Sequence, residues 1–124
     1  MVGDILEQGK GERREHEKLS DLLKSYDFER IILMGPRVCK YTYPLLRPHP
    51  SPLLKGEGIN KRFVGPKEAL DYLMDNLQGG EMVLFKGARF MEGIIEKLLK
   101  DKADIARLAR REAIWEKRRR SFGL

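Results

Sequence analysis

Cysteine occurs once, at Cys39, so the chain can form no internal disulfide and suits a reducing compartment. The bland reading of Cys39, a small filler near a strand end, is the expected one. No apolar run approaches the roughly 20 residues of a membrane-spanning helix, and the acidic, polar start offers no secretory signal. A cytoplasmic protein with no membrane partner is expected. The two histidines, His16 and His49, stand far apart, and no Cys/His cluster has metal-ligand spacing, so no bound metal is expected. The chain also lacks the G-x-x-x-x-G-K-[ST] loop that cradles nucleotide phosphates.

Proline is scarce except in one place. Residues 44–60 hold four of the six prolines, too many for a helix or a central strand. The string P-H-P-S-P-L-L-K-G-E-G inside that stretch looks like a translated palindromic DNA repeat. An exposed, tolerated insertion is expected there, with His49 as a solvated loop residue.

What is present is charge and periodicity. Charged residues make up 35% of the 124 and apolar ones 41%, which suits one charge-rich domain able to bury a core. The net charge of +6 is unevenly placed. Arg107, Arg110, Arg111, Lys117, Arg118, Arg119 and Arg120 are opposed only by Glu112 and Glu116, a net +5 in one short segment. Residues 1–100 therefore read as the folded domain and 101–124 as a basic helical tail, with Ile105, Leu108, Ile114 and Trp115 as its apolar face.

Along the domain, strand and helix patterns alternate. Residues 2–6 read as a strand, and 12–26 as a helix with Leu19, Leu22, Leu23 and Tyr26 in one stripe. Ile31, Ile32 and Leu33 suit a buried parallel strand in 30–34. Phe63 and Val64 form a short strand, and Pro66 opens a helix lined by Ala69, Leu70, Leu73 and Leu77. Gly79-Gly80 stops that helix. A strand over 81–85 and a helix over 90–100, with Ile94, Ile95, Leu98 and Leu99 inward, complete the pattern. Such alternation predicts an α/β fold: a Rossmann-like three-layer domain with a mostly parallel sheet.

Two segments carry a resemblance. G-D-I-L-E-Q-G at Gly3–Gly9, followed by His16, resembles the opening of the C-terminal domain of the Mur ligase family. V-L-F-K-G-A-R-F-M-E at Val83–Glu92 resembles that family's V-L-V-K-G-S-R-x-M-E, with Ala88 in place of Ser. The likeness spans about residues 2–100 and is strongest to the branch that adds D-alanyl-D-alanine to a UDP-muramoyl tripeptide. It implies one domain of an ATP-dependent amide ligase of peptidoglycan synthesis. In that family the phosphate loop, ATP and Mg²⁺ belong to a central domain, and only Met1 and Val2 precede the first motif here. The chain is therefore expected to be a late fragment or solitary descendant of a ligase, inactive alone. Its expected partners are the central and N-terminal ligase domains, the UDP-muramoyl peptide, and D-Ala-D-Ala or an amino acid.

The candidate site residues follow strand ends, where ligands gather in open α/β sheets. Lys86, Gly87 and Arg89 sit in a strand-to-helix turn, where backbone N–H groups and two cations favour an anion such as a peptide carboxylate. The resemblance assigns this turn to the amino-substrate side. Arg37, after Gly35-Pro36, reaches toward the same cleft. Asp4 and Glu7 are read as polar contacts on the nucleotide side, or as loop solvation and helix capping. His16 either touches substrate or orients a loop through the backbone. No residue is assigned catalysis. The rival functions are a stand-alone binding module and, through the tail, a nucleic-acid-binding protein. A tail that docks Ile114 and Trp115 on the domain is favoured over that last reading, and nucleic acid is not an expected partner.

Overall fold

The computed structural model describes residues 1–46, 60–87 and 89–124. The expected insertion at 44–60 falls mostly outside them, as do His49 and Ala88. Both described rims of that stretch are tied to the domain. Leu46 is buried against Leu23, Leu33 and Val38, and Asn60 Oδ1 accepts from Ile31 N at 3.2 Å.

Three short strands form one parallel sheet in chain order: β1 (Val2–Gly3), β2 (Ile32–Met34) and β3 (Lys61–Phe63). Val2 and Gly3 pair with Leu33 and Met34, and Ile32, Leu33 and Met34 pair with Lys61, Arg62 and Phe63. Parallel neighbours need crossover connections. Helix α1 (Glu12–Lys24) joins β1 to β2, and α2 (Pro66–Asn76) leads from β3 back to the far side of β1. There the expected strand over 81–85 is not a ladder strand. β1 offers two residues, and the passing chain is held by Met1 N to Leu84 O (2.6 Å), Lys86 N to Met1 O (2.9 Å) and Gly3 N to Lys86 O (2.8 Å). Lys86 alone forms a β-bridge, with Val2.

Successive residues of a strand face opposite sides of the sheet, and β2 shows the consequence. Ile32 and Met34 join Ala69, Leu70 and Leu73 of α2 and Met91 and Ile94 of α3 (Met91–Leu98) in one core. Leu33 joins Leu23 of α1, Val38 and Leu46 in another. Each fully buried Leu or Ile side chain contributes about 1.5–3 kcal/mol. The inner faces expected for α2 and α3 hold, through Ala69, Leu70, Leu73, Ile94 and Leu98. That of α1 shifts. Its buried residues are His16, Ser20 and Leu23, while Leu22 and Tyr26 are exposed. Tyr26 lies beyond the helix end, so it leaves the stripe.

The tail is not one amphipathic helix. A 3₁₀ segment (Lys102–Arg107) gives way to an irregular stretch with Arg110 at φ 58°, and then to α4 (Ala113–Ser121). Docking through Ile114 is also corrected, because that side chain is 60% exposed. α4 docks instead by Arg119, Phe122 and Leu124. A Cβ on Gly93 would lie 2.7 Å from Arg119 Cδ and 2.9 Å from Leu124 Cδ1, so α3 seats the tail where it has no side chain. The guanidinium groups of Arg110 and Arg118 lie over the Trp115 ring, 5.2 and 4.9 Å from its centre. Among the described residues no helix is long and apolar enough to cross a membrane.

Candidate functional site: the cleft at the strand ends

A cleft of about 230 Å³ opens where the three strands end. Gly3 and Asp4 follow β1, Gly35 to Arg37 follow β2, and Val64 follows β3. Pro66 at the start of α2 and Phe90 at the start of α3 close its sides, and Phe122 from the tail forms another wall. The rings of Phe90 and Phe122 meet at 4.5 Å.

Asp4 organises one side. Its carboxylate accepts from Arg37 N (3.0 Å) and Val38 N (2.9 Å), the first amides of a helical turn. It thus satisfies donors that a helix start leaves unpaired. Gly35 lies at φ 132°, and a Cβ there would come within 2.6 Å of Asp4 Cγ, so only glycine fits. Arg37 is gripped from two sides. Nε donates to Glu12, and Nη1 lies 3.5 Å from Asp4 Oδ2. Glu12, then Asp4, push the guanidinium pKa further up, so this cation is fixed and already paired.

His16 lies outside the cleft and is fully buried. Nδ1 is 2.7 Å from Glu12 O, a carbonyl that can only accept, and Nε2 accepts from Ile5 N at 3.2 Å. Those two bonds define the neutral Nδ1–H tautomer. Of its two expected roles, the geometry matches the orienting one, since the ring joins α1 to the loop that leaves β1. Glu7 is exposed at φ 61°, outside the cleft lining.

Of the strand-to-helix turn, Arg89 lines the cleft, whereas Lys86 and Gly87 do not. Among the described residues neither Lys86 nor Arg89 has a carboxylate within ion-pair distance. Gly87 has a packing reason to be glycine. A Cβ there would meet Met91 Cε at 2.8 Å and Gly3 Cα at 3.3 Å. The cleft thus gathers Asp4, Arg37 and Arg89, and leaves Lys86, Gly87, Glu7 and His16 outside its lining.

Three participants escape a reading of the sequence alone. Glu12 clamps Arg37, but as the first residue of a helix it reads as a favourable end charge. Phe90 takes a left-handed conformation, φ 64°, costly for a residue with a side chain. Glu92 is buried beside Arg110 of the tail, 3.4 Å away. Its place in the second motif was the only signal. Cys39 is buried with Sγ 3.4 Å from Phe63 O, and burial pushes its thiol pKa up, which keeps it protonated and inert. Among the described residues no three His, Cys, Asp or Glu side chains gather as a metal site. Comparison of the chain with protein-family models, with curated proteins and with solved structures finds no match.

Proposed function

We propose that this chain is the substrate-positioning domain of a Mur-type ligase, a Rossmann-like three-layer fold that places an amine substrate at the strand ends. One observation carries the reading. The two segments that resemble the family, more than 70 positions apart at their closest, lie side by side: Gly3 N donates to Lys86 O at 2.8 Å, and a Cβ added to Gly87 would press on Gly3 Cα. The packing of β1 against the Lys86 turn leaves little room for a side chain at Gly87. That gives the shared spacing a physical reason. The two cores on opposite faces of the sheet, one under α1 and one under α2 and α3, support the layered arrangement.

The chain's own residues do not fit ATP or Mg²⁺. It has no phosphate loop, and the described residues offer no metal-ligand group. In a ligase of this type those groups, held by a central domain, activate a substrate carboxylate. The part left to this chain is to bind and orient the amine partner and to exclude water. Arg89 is the cation for a dipeptide carboxylate, because it faces the cleft and no described carboxylate holds it. Arg37, clamped by Asp4 and Glu12, shapes the wall and adds a fixed positive field. Phe90 and Phe122 supply apolar walls.

The test is a ligase assembled from this domain with central and N-terminal domains. Arg89→Ala is expected to raise the KM for the amine, or lower its kcat/KM, by about tenfold or more, with ATP dependence unchanged. Unchanged amine kinetics in that variant would remove Arg89, and with it the assigned carboxylate site.

A further inference from the structure

The tail borders a second cavity, half open to solvent and of about 370 Å³, between α3 and α4. It shares no lining residue with the cleft. Four cations line it, Lys97, Arg111, Arg119 and Arg120, against two carboxylates, Glu96 and Glu116. Both carboxylates are already engaged, Glu96 by Arg111 and Glu116 by Arg120.

The remaining charge is awkwardly placed for a merely solvated tail. Arg119 is only 8% exposed, yet no described carboxylate pairs with it. Nη1 donates to Arg110 O at 2.7 Å. A guanidinium has five N–H donors, so this bond leaves most of them to be satisfied otherwise. Arg111 Nη2 is buried and has no hydrogen-bond partner among the described residues. A buried donor without a partner costs about 1–3 kcal/mol, more when charged, and calls for an ion or water. Arg119 thus borders the cavity with donors to spare, and Arg111 adds a second guanidinium whose Nη2 is left unpartnered behind the cavity wall.

We propose that this cavity is a binding site for a phosphate group, either free phosphate or a small phosphate monoester. Arg119 holds its oxygens, and Lys97, Arg111 and Arg120 complete the field. Charge favours phosphate over a single carboxylate. Among the lining side chains, four cations against two carboxylates leave +2, and a phosphate monoester carries about −1.5 to −2 at neutral pH. The planar guanidinium fork matches two phosphate oxygens at once. The volume falls within the roughly 300–1,000 Å³ usual for small-molecule sites, leaving room for the organic part of a monoester. Gly93 makes the site possible, because any side chain there would displace Arg119. The inference is independent of the ligase reading.

Titration calorimetry of the full chain with inorganic phosphate and with glycerol phosphate, at fixed ionic strength, tests it. Saturable 1:1 binding is expected, with a rise in Tm at about 10 mM ligand that sodium chloride of equal ionic strength does not reproduce. Arg111→Gln should weaken binding by about tenfold or more, whereas Arg13→Gln, a surface cation on α1, should not. Tighter binding of the monoester assigns a metabolite, and equal binding assigns free phosphate. No binding to the unmodified chain overturns the proposal whatever the variants do. Loss of binding in Arg89→Gln but not in Arg111→Gln also overturns it, by moving the anion to the cleft.

Discussion

The cleft at the strand ends and the cavity under the tail are both lined by arginine and carboxylate, yet they are built on opposite principles. At the cleft, Asp4 caps two amides and Arg37 is held by Glu12 and Asp4, so most of the polar groups serve the fold. Beneath the tail, the carboxylates are spent on Arg111 and Arg120, and Arg119 stays buried without one. The cleft is a framework of paired groups with Arg89, which no carboxylate among the described residues pairs, at its edge. The tail cavity is a concentration of positive charge that the fold leaves uncompensated. Saturated polar networks fix geometry, and unsaturated ones retain capacity for a ligand.

The sharpest test of the rigid half is His16. Its two ring nitrogens tie Glu12 O and Ile5 N in a fully buried position. His16→Ala should cost about 2–4 kcal/mol, since it opens a cavity and strands a backbone donor. Urea unfolding measures this. A loss below about 0.5 kcal/mol would mean the ring is no strut, and the helix end that presents Glu12 to Arg37 would be held by other contacts.

Truncation after Glu112 tests the other half. It removes α4 with Arg119, Phe122 and Leu124, which cover Gly93 and one wall of the cleft. A drop in stability of about 1–3 kcal/mol is expected, with faster amide exchange along α3. Relief of the uncompensated charge offsets part of the lost packing, so the effect should be smaller than that of His16→Ala. A gain in stability would show that charge repulsion outweighs docking.

The sequence foretold these two halves unequally. Helices α2 and α3 and strand β2 were legible because their apolar residues recur at the period of the element: Ala69, Leu70 and Leu73; Ile94 and Leu98; Ile32 and Leu33. The strand expected over 81–85 failed because a strand needs a partner, and β1 supplies only two residues. Asp4 and Arg37 do follow the ends of β1 and β2, as the alternation of elements predicts, whereas Arg89 reaches the cleft without the strand expected before it. The clamp that Glu12 puts on Arg37 joins residues 25 apart, and no local pattern reports it. The tail was misread for a different reason. Periodicity marks Ile114 and Trp115 as its inner face, but the hollow at Gly93 accepts the aliphatic stem of Arg119 instead.

Acid sharpens the comparison most finely, through Glu96 at the tail cavity. The hydrogen bond from Arg111, joined by the fields of Arg111, Arg119 and Lys97, holds the Glu96 carboxyl below its ordinary range, against the opposing effect of burial. A carboxylate whose folded pKa is depressed stabilises the fold at pH above its unfolded value. That contribution is lost as pH falls through the folded value. Glu96 should therefore favour folding fully at pH 7 and progressively less below about pH 4.3, the ordinary glutamate value. Because the pair is partly exposed, its contribution is on the order of 1 kcal/mol. Glu96→Gln should lower stability by that amount at neutral pH and flatten the decline between about pH 5 and 3. Thermal unfolding at several pH values measures both. Added phosphate should recover little of the loss at pH 7, since the anion meets Arg119 but cannot replace the carboxylate on Arg111. If the Gln variant is instead more stable at neutral pH, Arg111 is overpaired in the native chain, and the cavity holds less spare positive charge than its geometry indicates.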